Sequence, residues 1–195
     1  MDLKIVIGEY NTKIYPEVEN HNKRLRELAA STLSDEEKAK KLLIDVNGWC
    51  KGGHQWYLKF HKDVYNETIA DIISHHVWDM PLDEFASFED LYYSFYQWLR
   101  RPYINQLTIY DVALRLVLAR EEYRLMPRDF VYIHAKPRKV YDYLYKAKLV
   151  SQKPKGWIIK VPVKEFRKHF STLKHFESYL IEDLLCYIAK NNYIG

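Results

Sequence analysis

A chain of 195 residues, 48% hydrophobic and 29% charged, has the composition of a folded protein and can bury a core without disulfides or structural metals. Its longest stretches without Lys, Arg, Asp or Glu are nine residues, at 91–99 and 102–110, which excludes a membrane-spanning helix of about 20 apolar residues. Its two cysteines, Cys50 and Cys186, form no CxxC pair, and the first residues lack the basic and apolar regions of a secretory signal. We therefore expect a cytoplasmic protein with reduced thiols.

The N-terminal part is predicted to be mostly helical. LKIVI, residues 3–7, is a short strand or a tail pinned on the body, and a modest amphipathic helix follows at about 18–31. Ser34 and Glu37 form an S-x-x-E capping box, in which each side chain satisfies a backbone N–H of the other residue. A half-buried helix with an i, i+3, i+4, i+7 apolar pattern is expected to begin there.

The central part is predicted as three further helices. Residues 54–78 have the apolar pattern of a helix. Ser87 caps an aromatic helix that ends before Pro102, since proline breaks a helix interior. Thr108 begins the next helix and places Asp111 at its third position, where the helix dipole favours a carboxylate.

The C-terminal part mixes short strands with helices. FVYI, residues 130–133, is β-branched and aromatic, which indicates a strand. A brief helix is expected after Pro137, and one strand of a hairpin within 153–163. Two helices are expected at the C-terminal end.

The order of these elements predicts the fold class. We expect a mainly α fold, a single globular helical domain over residues 1–195 with two or three short β-strands in the C-terminal part. A subdivision into an acidic helical body at 1–124 and a basic C-terminal portion at 125–195 is also open.

Positive charge is concentrated in one part of the chain. Residues 124–174 contain 14 Lys and Arg against three Asp and Glu, a net charge of +11, and the remaining 16 basic and 23 acidic residues give −7. Such a segment indicates a polyanionic partner, and the tyrosines between its cations can stack on exposed bases. The alternative is an ordinary solvated surface. The predicted nucleic-acid contacts are Arg128, Lys136, Arg138, Lys139, Lys146, Lys148, Lys153 and Lys155.

One segment, TIYDVALRLVLAREEYRLMPRDFVYIHAKPRKV at 108–140, resembles a group of uncharacterised bacterial proteins. In that group a helix reading roughly VYDTALRIG is followed by a proline and then VYLHAGTR. The resemblance implies a shared architecture over about 35 residues and no particular activity. The matching positions are Tyr110, Asp111, Ala113, Leu114, Arg115, Pro127, Val131, Tyr132, His134 and Ala135.

The same region is similar to a helix-hairpin-helix element, which holds a DNA phosphate against backbone N–H groups at a helix N-terminus. The two helices would be 88–101 and 108–124, joined by a hairpin at 103–107. Gln106 and Thr108 stand where that motif has glycine, and their Cβ atoms hinder a close backbone approach. The alternative is a buried helical hairpin.

Four residues of the matched segment form a candidate polar cluster: Tyr110, Asp111, Arg115 and His134. Asp111 and Arg115 are four positions apart, which favours a local ion pair on one helix. Asp111 could equally orient His134 as a general base. No serine or cysteine nucleophile stands beside them in sequence, so no catalytic residue is assigned.

No metal or cofactor is predicted. Glu67, Asp71 and His75 share a helix face at i, i+4 and i+8, but no second element repeats the pattern. The chain contains no Walker A loop, GxGxxG, GxSxG or zinc CxxC pair, and its six glycines leave little room for a phosphate loop.

These observations leave three hypotheses for function. The first is a non-enzymatic nucleic-acid-binding or accessory protein that uses the basic segment for phosphate contacts and a turn at 103–111 for orientation. The second is a protein interaction module or homodimer, whose aromatic face comprises Tyr92, Tyr96, Trp98 and Tyr103. The third is an enzyme with a site around Asp111 and His134. No membrane partner is expected.

Overall fold

The computed structural model describes residues 3–44, 77–99, 106–156 and 158–194. These residues form eight α-helices and a two-stranded antiparallel sheet, which confirms the predicted mainly α fold with short strands in the C-terminal part. The helices are α1 (Leu3–Lys13), α2 (Tyr15–Ala30), α3 (Asp35–Ile44), α4 (Phe88–Leu99), α5 (Gln106–Ala119), α6 (Ala135–Lys146), α7 (Val163–His169) and α8 (Ser178–Lys190), and the strands are β1 (Phe130–Ile133) and β2 (Ile159–Pro162).

The chain divides into two compact units. Among the described residues, the first unit comprises 3–17 and 127–194, and the second comprises 18–44, 77–99 and 106–126. The single domain and the subdivision at residue 124 stay predictions.

The strand predicted at residues 3–7 is wrong, because these residues begin α1. Val6, Ile7 and Tyr10 are buried along one side of this helix, which packs against α8. The three β-branched residues of this segment lower helix propensity by only a few tenths of a kcal/mol each, whereas burying a Val or Ile side chain stabilises by about 1.5–3 kcal/mol. Tertiary packing therefore overrides the local β preference.

The predicted capping box at Ser34 and the predicted cap at Ser87 are confirmed. Glu37 Oε2 accepts a hydrogen bond from Ser34 N at 3.0 Å, and Ser34 Oγ accepts one from Glu37 N at 3.3 Å. At the start of α4, Asp90 N donates to Ser87 Oγ at 3.2 Å. Both helices thus begin where a side chain satisfies an exposed N–H of the first turn. Residues 54–76 of the helix predicted at 54–78 lie outside the described part.

The start predicted for α5 is wrong. Thr108 is not its cap, since Gln106 and the residue after it are already helical, and the helix ends at Ala119 rather than at 124. Threonine is only a moderate N-cap residue, and Gln has a better helix propensity, so the helix extends past it. Asp111 consequently lies beyond the first turn.

The sheet and three helices form the core of the first unit. β1 pairs with β2 so that Val131 lies opposite Val161 and Ile133 opposite Ile159, all four buried. The strands are not a hairpin, because α6 lies between them in sequence. α8 packs against β1, α6 and α1, and almost its whole length is buried.

The second unit is built around α5, which packs against α3 and α4. Its residues from Ile109 to Ala119 are all buried. Two arginines hold the segment that precedes α4. Arg120 Nη1 donates to Met80 O at 2.8 Å, and Arg124 Nη2 donates to Leu82 O at 2.5 Å.

Candidate nucleic-acid interface

The exposed side of α6 carries three lysines and a tyrosine. Lys136, Lys139, Tyr143 and Lys146 lie at i, i+3, i+7 and i+10, a spacing that puts them on one side of a helix, and all four are exposed. Tyr143 retains 41% of its accessible surface. We call these four residues the α6 stripe.

The opposite side of α6 fixes the stripe on the core. Val140, Tyr141 and Leu144 are buried there. The Tyr141 ring packs against Phe166 with centroids 6.2 Å apart, and its hydroxyl donates to Gln152 O at 2.8 Å. Burial, with a contribution from nearby Glu165, raises the pKa of Tyr141 to about 12, so the hydroxyl stays a donor at neutral pH.

The C-terminal end of α6 presents a fourth lysine. Lys148 has a left-handed backbone with φ of 58°, and the turn around it is closed by hydrogen bonds from Lys148 N to Tyr145 O and from Leu149 N to Leu144 O, at 3.0 and 2.9 Å. This is a Schellman motif, whose left-handed position usually holds glycine. The chain keeps a cation there in spite of the backbone cost of about 1–2 kcal/mol for a residue with a Cβ.

The loop after α6 is held by hydrogen bonds to the side chains of Arg138, Tyr141 and Glu165. Arg138 Nη1 donates to Gly156 O at 2.5 Å, and Ser151 donates from N and Oγ to Glu165 Oε2 at 3.1 and 2.6 Å. The Ser151 hydroxyl and its backbone N–H lower the pKa of Glu165, which keeps the carboxylate an acceptor. Arg138 is therefore already engaged in holding this loop.

Two predicted lysines project from this held loop. Lys153 and Lys155 are both exposed. Because the loop is fixed at Ser151, Gln152 and Gly156, their backbone positions are defined by the fold.

The six predicted lysines have no carboxylate neighbour at ion-pair distance within the part of the chain that the structure describes. Two arginines complete the predicted set of eight cations: Arg138, described above, and Arg128, which is exposed immediately before β1. All eight belong to the first unit.

Few of the tyrosines between these cations are available for stacking. Tyr132 is buried in β1 and Tyr141 in the α6 interface, whereas Tyr143 is exposed. Trp157 lies outside the described residues. One side of α6 faces the core, which explains why Tyr141 is buried and Tyr143 exposed. In β1, Tyr132 is buried although it lies on the face opposite to Val131 and Ile133, which are buried as well.

Three residues of the predicted polar cluster are buried in the second unit. Tyr110, Asp111 and Arg115 are at most 2% exposed, and the Tyr110 ring meets Phe88 edge-on at 5.5 Å. Burial lowers the pKa of Arg115 to about 10, an effect that Asp111 partly offsets by its negative charge. The guanidinium thus stays protonated at neutral pH.

His134, the fourth member, belongs to the first unit and lies between β1 and α6. Its Nε2 is 3.6 Å from Glu182 Oε1, and Cys186 Sγ donates to the same oxygen at 3.4 Å. The side chains of His134 and Glu182 are only 1% and 3% exposed, so a substrate in solvent has no access to them. His134, Glu182 and Cys186 thus form a set of polar contacts inside the core.

The sequence reasoning missed the carboxylates of α8. Besides Glu182, Asp183 is buried and accepts a hydrogen bond from Tyr10 Oη at 2.7 Å. A usable signal was present, since an acidic pair inside the apolar run IEDLLC must find donors if the helix is buried.

The aromatic face of the competing hypothesis is partly described. Tyr92, Tyr96 and Trp98 are half-buried on α4, and Tyr103 lies outside the described residues. The Tyr92 and Tyr96 rings are 6.4 Å apart, and burial, with a contribution from Tyr96, raises the pKa of Tyr92 to about 12. The hairpin predicted at 103–107 also lies mostly outside the described part, and the turn predicted to reach 111 is wrong beyond 105, where α5 begins.

No family model, curated protein or solved structure matches this chain. None of its described helices is long and apolar enough to span a membrane. The described ranges also contain no group of three His, Cys, Asp or Glu side chains with metal-site geometry, and Glu67, Asp71 and His75 lie outside them.

Proposed function

We propose that this chain is a non-enzymatic nucleic-acid-binding or accessory protein, whose α6 stripe contacts the phosphate backbone. One observation carries the proposal: Lys136, Lys139 and Lys146 share one exposed side of α6, without a carboxylate partner among the described residues. Phosphate contacts by such lysines release counterions and so favour binding to any nucleic acid.

The surroundings of the stripe support the same function. Lys148, Lys153 and Lys155 extend the positive charge beyond the helix, and the exposed ring of Tyr143 offers a surface for stacking on an unpaired base. Contacts of this kind position a strand and carry little sequence information. We therefore expect binding that depends on salt more than on sequence.

The cellular location and the resemblance belong to the proposal as well. Cys186 is a buried free thiol, which suits the reducing cytoplasm. The resemblance of 108–140 to the uncharacterised bacterial group suggests a shared architecture with those proteins. A site for catalysis around Asp111 and His134 has no such support, because both side chains are buried.

The proposal is tested by salt-titrated binding to labelled single-stranded and duplex DNA and RNA, measured by fluorescence anisotropy. Replacing Lys136 and Lys139 by Gln should lower the magnitude of the salt slope for duplex DNA by about 1.8, since each phosphate contact contributes roughly 0.9. The matched control replaces Lys23 and Lys41 by Gln, which gives the same net charge from exposed positions on α2 and α3.

Two results would overturn the proposal. One is absence of binding to every nucleic acid at low salt, and the other is an equal loss of slope in both double variants. Light scattering separates the competing hypothesis, because an interaction module that docks through Tyr92, Tyr96 and Trp98 would form dimers indifferent to polyanions.

A further inference from the structure

A second basic feature of the first unit is a cleft of about 590 Å³ beside the sheet. It lies where β1 begins and β2 ends, at Phe130 opposite Pro162, and where α7 follows β2. The volume falls within the range of small-ligand sites, roughly 300–1,000 Å³. Only one of its cations, Arg128, was predicted as a nucleic-acid contact.

The fold gathers cations at this cleft. Lys164, Arg167 and Lys168 lie at i, i+3 and i+4 on α7, and Arg128 comes from the residues before β1. The hydrogen bond from Val163 N to Asp129 O at 2.9 Å fixes the start of α7 beside β1. Arg128 and Lys164, which are 36 positions apart in sequence, thus line the same cleft because of the strand register.

The cations differ in how firmly they are held. Arg167 Nη2 donates to Phe176 O at 2.9 Å, so its guanidinium is partly immobilised before any ligand arrives. A preorganised guanidinium loses less side-chain entropy on binding an anion than a mobile lysine does. Lys164 and Lys168 are exposed and add charge. Among the described residues that line the cleft, Asp129 is the one carboxylate against four cations.

One wall of the cleft is apolar. Phe130, Pro162 and Val163 form it, and Phe130 is only half-buried. The ammonium of Lys160 lies 3.9 Å from the centroid of the Phe130 ring, a cation–π contact that holds the ring in place. The cleft therefore combines a fixed aromatic ring with a cationic rim.

We infer that this cleft is a nucleotide subsite, in which a base lies on the Phe130 wall and its phosphate is bound by Arg167, Lys164 and Lys168. A nucleotide supplies both a planar apolar group and a phosphate, whereas an acidic peptide supplies carboxylates without the planar group. The identification of the ligand as one unit of a nucleic-acid strand rests on the proposed function. Asp129 offers an acceptor for a base amino group or a ribose hydroxyl.

The test uses the full chain and three probes, AMP, ribose 5-phosphate and adenosine, titrated by calorimetry and by amide chemical shifts. We expect AMP to bind at least tenfold more tightly than either fragment and to shift amides of 128–130 and 162–168. Replacing Lys164 and Lys168 by Gln should weaken AMP binding at least tenfold. The Lys23→Gln, Lys41→Gln variant, at exposed positions on α2 and α3, is the matched control and should change AMP affinity less than twofold.

The outcomes separate this inference from the proposed function. AMP binding no tighter than that of ribose 5-phosphate, or equal losses in the two double variants, would overturn the subsite even if oligonucleotides bind through the α6 stripe. AMP binding that depends on Lys164 and Lys168, in a protein that binds no oligonucleotide, would support a mononucleotide site and overturn the nucleic-acid function.

Discussion

Glu9 and Tyr193 show how single hydrogen bonds connect distant parts of the sequence within the first unit. Tyr193 Oη donates to Glu9 Oε2, and Tyr187 Oη donates to the same atom at 3.4 Å. The bond from Tyr193 lowers the pKa of Glu9 below its usual 4.5, and the same bond raises the pKa of Tyr193. The carboxylate is thus stabilised in its charged form by the C-terminal residues.

This pair predicts an acid-sensitive contribution to stability. Because the folded-state pKa of Glu9 is depressed, its contribution is full above the unfolded value of 4.5 and is lost as the pH falls through the folded pKa. Urea denaturation of wild type and Tyr193→Phe between pH 7 and pH 3 should show a stability difference that shrinks with acid. Tyr143→Phe, at an exposed tyrosine, is the control, and a Tyr193→Phe difference that is constant across the range would contradict the assignment.

Arg115 is a second residue whose role only burial reveals. It is fully buried on α5, one turn after Asp111, with a pKa lowered to about 10 by burial. Sequence spacing predicted the neighbouring carboxylate but could not distinguish a surface pair worth a few tenths of a kcal/mol from a buried one.

Truncating this side chain should therefore be costly. Arg115→Ala removes a buried cation from its polar partners and leaves a cavity, so we expect a loss of about 3–5 kcal/mol in the free energy of unfolding. Arg115→Met, which fills more of the space, should lose less. Arg24→Ala, at an exposed site on α2, should stay within about 0.5 kcal/mol. Losses below about 1 kcal/mol in both Arg115 variants, measured by urea denaturation, would contradict a structural role.

At the scale of the element, three helices end in the same unusual way. The left-handed residues after α5, α6 and α8 are Glu121, Lys148 and Asn192, with φ of 56°, 58° and 53°. Each is followed by the 6→1 hydrogen bond of a Schellman motif. A sequence search for glycine at helix ends could not find them, because these positions hold polar residues instead.

Lys148 allows stability and function to be separated. Lys148→Gly should raise the free energy of unfolding by about 1 kcal/mol, since glycine adopts positive φ without a Cβ clash. If Lys148 contacts phosphate, the same variant should also lower the magnitude of the duplex salt slope by roughly 0.9.

Gly8→Ala provides the control for that comparison. Gly8 lies in the middle of α1 with nothing within 4 Å of an added Cβ, so alanine should stabilise by about 0.5–1 kcal/mol without changing binding. Greater stability of Lys148→Gly together with an unchanged salt slope would remove Lys148 from the proposed interface.

At the scale of the whole molecule, several arginines of the basic segment already make contacts within the fold, whereas its predicted lysines are exposed. Arg124, Arg138 and Arg167 each donate to backbone carbonyls and hold loops or turns within their own units. The predicted lysines remain at the surface without ion pairs among the described residues. Charge counted from the sequence therefore overstates what a ligand can reach, because arginine's planar fork is also suited to carbonyl contacts.

Patterns with a local cause were predictable from the amino-acid sequence alone. The mainly α fold, the capping box at Ser34, the cap at Ser87 and the strand at 130–133 follow from side-chain chemistry within a few residues and from hydrophobic periodicity. The concentration of positive charge in 124–174 is likewise a property of the sequence.

Only the tertiary structure decided which of those residues meet and which are exposed. It made residues 3–7 helical against their β preference, buried the tyrosine of β1, and paired His134 with Glu182, 48 positions away. It also brought Arg128 beside α7 to form the cleft. The physical reason is that the free energy of burial depends on contacts between segments that are distant in sequence. This free energy exceeds local propensities of a few tenths of a kcal/mol, and the local sequence does not specify which distant segment a residue will contact.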